Sequence, residues 1–544
     1  MTRTRETLSA GAVIVVLTIF VTWPQGWYLG TRVATHDDSY FSIWRLAWIA
    51  HALTTDPGHL FDANIFHPAR GALAFSDATL FEGLLGAPLL WANISPIVVY
   101  NLLLLGGIAA SGLAMFVLAR HVVGAMAPAL VAAAIFTMAP YRIEHFMHLE
   151  LQWTMWMPLT FWAFYRAIDE GDWRFGVLGG VFLWLQVVSS VYYGVFLVMT
   201  TAVFVVLLMV SAPRRARAAV PGLVGGTLVA ALLTVPYALP YLNNARRLGP
   251  RSTEAVAAFS ATPLDYVVSP PQNWLWGWTA AGGSGAERNL FPGVLAIALA
   301  AAAFAYRPRR LVFVYFAVAA LSIELSFGLN GRLYSWLFDH IRTLQGFRSP
   351  ARFAAIASCA IAMLAGFGAQ VIVRRLSTVG ARLGRGAVAC LFILLAIEYR
   401  NTGMILTDIA YDPPSVYNVY KAVRTLGPGA VVELPLPQLD KLPGLEVHYA
   451  FASIGHWYPL VNGYSGYYPP EYSQTVGRME NFPDDRSIAQ LRNIGVRYLI
   501  LHPHLYAGDS YASLVRRMAE RRELRPYGSF PAEGGNAELF LLEK

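Results

Sequence analysis

Charge is scarce in this chain. Asp, Glu, Lys and Arg make up 14% of its 544 residues, against about 25% in an ordinary soluble domain. Apolar residues reach 56% and the mean hydropathy is +0.46. These values exclude a typical soluble protein and predict a polytopic α-helical membrane protein in a lipid bilayer. Cysteine is almost absent. Cys359 and Cys390 both lie inside apolar runs, so neither a disulfide framework nor a thiolate metal site is expected. No Walker motif, dinucleotide fingerprint or zincin motif occurs, and nucleotide use is unsupported. Internal repeats and low-complexity tracts are also missing. The net charge of +8 comes from arginines clustered between apolar runs. That placement orients helices and does not point to nucleic acid.

What is present is a series of apolar runs. The first, about Leu8–Leu29, is too long for a signal-peptide core and reads as a retained span. Arg3 and Arg5 precede it, which puts the N-terminus in the cytoplasm. The charge-free run Gly83–Ala119 is broken by Asn-Ile-Ser-Pro at 93–96. Read as a surface helix followed by one span near Ile97–Leu118, it leaves Arg120 inside. Spans then alternate through 122–140, 151–165, a hairpin in 175–213 around Ser189–Gly194, 220–242, 290–306, 311–327, 353–373 and a last one ending near Ile397. Every short basic loop, including Arg214, Arg215 and Arg217, becomes cytoplasmic, as the positive-inside rule requires. The count is about eleven spans. The expected location is the plasma (inner) membrane, with the C-terminus outside.

Residues 1–400 are therefore expected to form a transmembrane catalytic domain with a first outer loop at 31–96. Composition changes near residue 400. Val431–Pro437, Tyr498–His502 and Glu538–Leu542 read as strands, and Val416–Leu426 and Arg486–Ile494 as helices, the latter stopped by Gly495. Residues 401–544 thus predict a small soluble extracytoplasmic α/β domain.

The first outer loop carries an adjacent acid pair, Asp37 and Asp38, just after the first span. Tyr40, Trp44 and Trp48 follow at spacings of four, on one helix face. The segment Ser39–Leu53 predicts an interfacial helix lying on the membrane, and Thr79–Ala92 a second. One reading of the acids is helix capping. Capping needs one acid, however, and two are present. Adjacent carboxylates repel, which strengthens the hold of one of them on a proton. Such a group suits proton abstraction from an alcohol.

A long outer loop with juxtamembrane helices, an acid pair after the first span, about a dozen spans and an outer C-terminal domain together resemble the C-type glycosyltransferases. Members of that superfamily use polyprenyl-phosphate-linked sugars. The resemblance implies that Asp37 is the catalytic carboxylate, with Asp38 as its neighbour. It implies a polyprenyl-phosphate-linked sugar donor and a glycan, lipid or protein acceptor on the outer face. A lipid phosphate is already a good leaving group, so a single base and cations for the departing phosphate suffice, with inversion at the sugar carbon. The alternative is a transporter or flippase of a glycolipid or polysaccharide precursor. Transporters show repeat symmetry and mid-membrane polar groups, whereas here polar residues crowd one face. A non-catalytic scaffold is a third reading.

Arginine forks suit phosphate oxygens. Arg348 and Arg352, in Phe-Arg-Ser-Pro-Ala-Arg-Phe at the mouth of one span, are the first choice, with Arg342 nearby and Arg246 after another span. Contact with ordinary headgroups is the plainer reading of any one of them. The segment 141–150 (YRIEHFMHLE) offers His145 and His148 for substrate contact. With Glu144 they also suggest a possible divalent metal, although H-x-x-H is a weak signal. Asp77 and Glu82 are further acids. Glu324, inside a span, invites a functional reading or a buried partner such as an arginine. Tyr192 and Tyr193 mark either a cavity wall or a simple hairpin turn. His456–Tyr458 and Asn462–Tyr472 are rich in aromatics that can stack on sugars or pack a core.

Overall fold

Long uncharged runs satisfy their backbone groups internally by becoming helices, and helices dominate this protein. The computed structural model describes residues 2–282, 285–409, 418–532 and 534–543. Among the described residues six helices are long and apolar enough to cross a membrane: Thr4–Val21, Pro96–Val123, Met126–Glu144, Val191–Ser211, Arg215–Leu248 and Pro350–Val379. Shorter apolar helices include Trp173–Ser189 and Val294–Ala305. Six is fewer than the eleven spans expected from charge alone. Several runs counted as spans form shorter helices, such as Trp156–Glu170 and Arg310–Ser326.

The chain divides into two units. The first comprises Met1–Leu29, Asn101–Leu239 and Gly249–Leu406, and the second Gly30–Tyr100, Pro240–Leu248 and Thr407–Lys544. The first loop, expected to go with residues 1–400, thus groups with the C-terminal region.

In the first unit, local sequence sets the helix ends. Ser190 interrupts the 175–213 run, and its hydroxyl accepts from the Tyr193 amide to start a new helix. The helices at 173–189 and 213–248 meet through two Gly-x-x-x-Gly pairs. A methyl group at Gly176 would strike the backbone of Gly222, and one at Gly180 the backbone of Gly226. Small residues at that spacing allow two backbones to approach where no large side chain fits. Glu324 sits near the end of helix Arg310–Ser326. Its Oε1 accepts from the amides of Arg332 and Leu333 at 3.2 and 3.3 Å. The partner of this acid is therefore the start of the next helix and not an arginine.

The second unit is built on a four-stranded sheet. A small ladder joins β1 (Arg32–Ala34) to β2 (Leu406–Asp408). The main sheet holds β3 (Ala430–Leu434), β4 (Val496–Leu501), β5 (Leu524–Ala532) and β6 (Gly535–Leu542), in the order β3-β4-β6-β5. The first pair is parallel and the other two pairs are antiparallel. The helices run Asn418–Leu426 and Asp485–Asn493, and Gly495 has a positive φ of 76°. Residues 416 and 417, expected to begin the former helix, lie outside the described residues.

Helix Asp37–Thr55 is a core element of this unit. Phe41, Trp44, Trp48 and Ile49 are buried together with Val447, Tyr449 and Ala450 of helix Glu446–Ala452. The expectation of an interfacial helix fails here. The aromatic stripe at i, i+4 and i+8 serves a protein core, and periodicity alone does not separate the two environments. Each large side chain so buried stabilises the unit by about 1.5–3 kcal/mol. Helix Leu80–Trp91 fits the surface expectation better. It packs Gly83 against Ile49 and leaves Leu84, Leu85 and Trp91 about half exposed.

Candidate functional site

The acid pair opens helix 37–55, but neither acid is the cap. The N-cap is His36, whose Nδ1 accepts the Asp38 amide at 3.1 Å. Asp37 and Asp38 occupy the first turn, where the helix dipole favours negative charge. The N-cap part of the capping reading thus passes to His36, while its helix-dipole part holds for both acids.

Their surroundings differ. The Tyr464 hydroxyl donates to Asp38 Oδ1 at 2.9 Å, and the Tyr464 ring packs edge-on against Phe41 at 5.2 Å. Burial, with Asp38 and Asp37 beside it, raises the affinity of the Tyr464 hydroxyl for its proton, so it stays a donor. Among the described residues no hydrogen bond to the half-buried Asp37 carboxylate is seen. One acid is anchored and the other is available. Asp37 and Asp38 also lie within electrostatic reach of Tyr468. The aromatic segment 462–472 therefore frames the acid pair.

That segment is itself held by a buried polar network. Asn462 Nδ2 donates to the Glu433 carbonyl at 3.0 Å and to Glu446 Oε1 at 3.1 Å. The Gly463 amide donates to Glu446 Oε2 at 2.7 Å. Glu433, on β3, receives the Tyr420 hydroxyl at 2.9 Å and lies 2.7 Å from His502 Nε2, just beyond β4. Burial raises the Glu446 carboxyl to about 8, against the pull of its hydrogen bonds, and nearby Glu433 adds to the rise. Sequence reading missed Glu433 and Glu446. An acid inside the apolar strand sequence VVEL was the available signal.

The first unit holds a second polar cluster, built around the segment 141–150. Arg352 donates from Nε and Nη2 to Glu287, the closest contact being 2.5 Å. Burial alone would raise the Glu287 carboxyl. The Arg352 charge, His145 and the Arg352 hydrogen bonds outweigh it and bring it down to about 2. His145 is 1% exposed, with Nε2 3.9 Å from Glu287. Burial depresses this imidazole to about 3, against the attraction of Glu287, so it is neutral. The Tyr193 hydroxyl donates to that of Tyr141 at 3.4 Å. Tyr193 is buried, in the first turn of helix Val191–Ser211.

The candidate phosphate ligands thus fare differently. Arg352 is engaged by Glu287, an acid just after a glycine-rich stretch that sequence reading did not single out. Arg348 stacks over Phe259, with its guanidinium carbon 4.6 Å from the ring centre, and its amide donates to the Tyr192 hydroxyl. Arg342 and Arg246 are exposed. Arg246 belongs to the second unit, with Asp37, while Arg342, Arg348, Arg352, His145, His148 and Tyr193 belong to the first. His148 stands 5.5 Å from His145, ring centre to ring centre. Among the described residues no group of three or more His, Cys, Asp or Glu side chains is arranged to hold a metal ion. Asp77 and Glu82 are buried beside helix 37–55, where Arg45 donates to the Asp77 carbonyl. Comparison of the chain with protein-family models and with curated proteins returns no match.

Proposed function

We propose that the protein is an inverting membrane glycosyltransferase of the C type. It moves a sugar from a polyprenyl-phosphate donor to a hydroxyl acceptor on the outer face of the plasma membrane. The observation that carries the reading is the unequal acid pair. Asp38 is fixed by Tyr464, which leaves the adjacent Asp37 carboxylate open and held on the first turn of a core helix. A base must be both accessible and positioned to take a proton from an alcohol, and Asp37 meets both conditions.

The mechanism is then a single displacement. Asp37 takes the proton of the acceptor hydroxyl as that oxygen attacks the sugar carbon. The bond to the lipid phosphate breaks, and the phosphate leaves with the electron pair. Because the leaving group is already an anion of low basicity, no general acid is required. Cationic side chains stabilise the charge that develops on it. Of the two arginines first chosen for this role, Arg352 is already paired with Glu287. Tyr464 and Tyr468 offer aromatic faces to an acceptor sugar. The full count of about eleven spans, the cytoplasmic N-terminus and the outer C-terminal region belong to this same reading.

The test is turnover of a panel of radiolabelled polyprenyl-phosphate sugars by membranes carrying each variant. Asp37→Asn keeps size and polarity but takes no proton, and turnover should fall by roughly 10²–10⁴. Asp38→Asn should cost less, because it loosens its neighbour without removing the base. A deeper loss at Asp38 would exchange the two roles. Undiminished transfer by the double Asn variant would eliminate the catalytic reading of both.

A further inference from the structure

Arg142 presents a problem of charge. It is 6% exposed, and all its bonds go to neutral groups. Nε donates to the Phe136 carbonyl at 3.3 Å, Nη1 to the Gln152 carbonyl at 2.9 Å and to Gln152 Oε1 at 3.4 Å, and Nη2 to Thr154 Oγ1 at 2.7 Å. Among the described residues no carboxylate pairs with it. Arg352, the other buried arginine of this cluster, has Glu287. A guanidinium taken out of water with no counter-charge is costly, and the neutral acceptors offset only part of that.

The same side chain lines a small pocket. Tyr141, His145, Thr154 and Tyr193 share the wall, with Phe136 and Leu151 as apolar neighbours. His145 is the second anomaly. It is 1% exposed, and neither ring nitrogen has a hydrogen-bond partner. A neutral imidazole always has one N–H to give. Tyr141 already accepts from Tyr193, so its own proton is also free to donate. The wall therefore combines one unneutralised cation with at least two unused donors, and no carboxylate faces it. Glu287, the nearest acid to His145, is occupied by Arg352.

We propose that this pocket is an oxyanion site. It takes a phosphate-type group on Arg142, His145 and Tyr141, whether that group is free in solution or carried on a lipid. An anion there would satisfy the uncompensated charge and the idle donors together, which a neutral ligand does not do. The proposal stands on the first unit alone and does not require glycosyl transfer.

Binding is measured on the purified full chain in detergent, with polyprenyl phosphate (bearing no sugar) and inorganic phosphate as the two probes. Isothermal titration and the shift in melting temperature are the readouts. At least one probe should bind the wild-type chain. Arg142→Gln should weaken that binding about tenfold or more, the value of a charge-assisted hydrogen bond. His145→Phe keeps the volume and should weaken it several-fold. If Arg142→Gln does not fold, His145→Phe and Tyr141→Phe carry the test together. Tight binding of polyprenyl phosphate with weak binding of inorganic phosphate assigns the site to a lipid-borne group. Equal binding assigns it to a free anion. Absence of binding by both probes, or binding unchanged in Arg142→Gln and His145→Phe, overturns the proposal. Phosphate binding by a chain that transfers no sugar leaves this site standing and removes the transferase reading instead.

Discussion

Glu446 makes the stability of the second unit depend on pH in a direction opposite to that of most acids. Its carboxyl is fully buried, and burial raises it to about 8. In the unfolded chain it returns to about 4.3. Between these values the folded protein holds a proton that the unfolded chain has released. Stability therefore falls as pH rises, by about 1.4 kcal/mol per pH unit. The contribution is fully present below about pH 4.3 and is lost by about pH 8. Across that window the loss has an upper bound of about 5 kcal/mol. For a unit of this size each kcal/mol moves the melting temperature by roughly 2–4 °C, so a fall of about ten degrees is the scale to look for. Trp44, Trp48 and Trp457 lie in the core of the second unit or pack against it and report its melting by intrinsic fluorescence. The comparison is wild type against Glu446→Gln, from pH 5 to pH 8.5. The variant keeps an oxygen for the Gly463 amide but has nothing to titrate. Its melting temperature should vary less, so the wild-type curve should fall relative to that of the variant as pH rises. Parallel curves would show that Glu446 does not titrate in this range and would refute the reasoning.

Two further outcomes test the architecture. Gly180→Leu should force helices 173–189 and 213–248 apart, because the added atoms meet the Gly226 backbone and not a movable side chain. The expected result is a lower detergent melting temperature with poor membrane yield, while Gly386→Leu, at a glycine with open space around it, should leave both unchanged. For topology, Arg217→Cys in a chain lacking Cys359 and Cys390 should resist an impermeant maleimide added outside intact cells. Labelling there would reverse the assigned orientation.

The apolar, helical character was legible because bulk composition is a robust signal, whereas the count of about eleven spans read from charge compares with six long apolar helices among the described residues. The strands at 430–434, 496–501 and 535–542 announced themselves as apolar runs with turn residues between them. The strand Leu524–Ala532 did not, since its sequence LRPYGSFPA holds two prolines and a glycine, and it pairs only with β6 at the end of the sheet. That position tolerates proline. The helix at 37–55 was found, yet its environment was misread. An aromatic stripe that faces lipid and one that faces a protein core have the same spacing, and what distinguishes them is a partner some 400 residues away. The arginines were misjudged for a similar reason. Arg352 could not be separated from Arg348 without Glu287, 65 residues earlier, and Arg142 stood out only once its lack of an acid could be seen. Asp37 and Asp38 were legible as a pair. The difference between them was not, because it depends on Tyr464.

On the proposed reading of Asp37 as a base, that difference also bears on how such a group is held still. A carboxylate on a helix resting at a lipid surface would move with the surface, and its reach toward an acceptor would vary by more than general-base catalysis tolerates. Helix 37–55 is instead fixed from inside the second unit. Trp44 donates to Asn64 Oδ1 at 3.3 Å, and Trp48 to the Leu60 carbonyl at 2.9 Å. The chain of constraint then runs from Glu446 through Gly463 to Tyr464, and from Tyr464 to Asp38. Asp37 is the next residue along a hydrogen-bonded helix whose first turn is pinned by His36. Its position is thus set by a packed core and by a buried acid network, with its carboxylate left open.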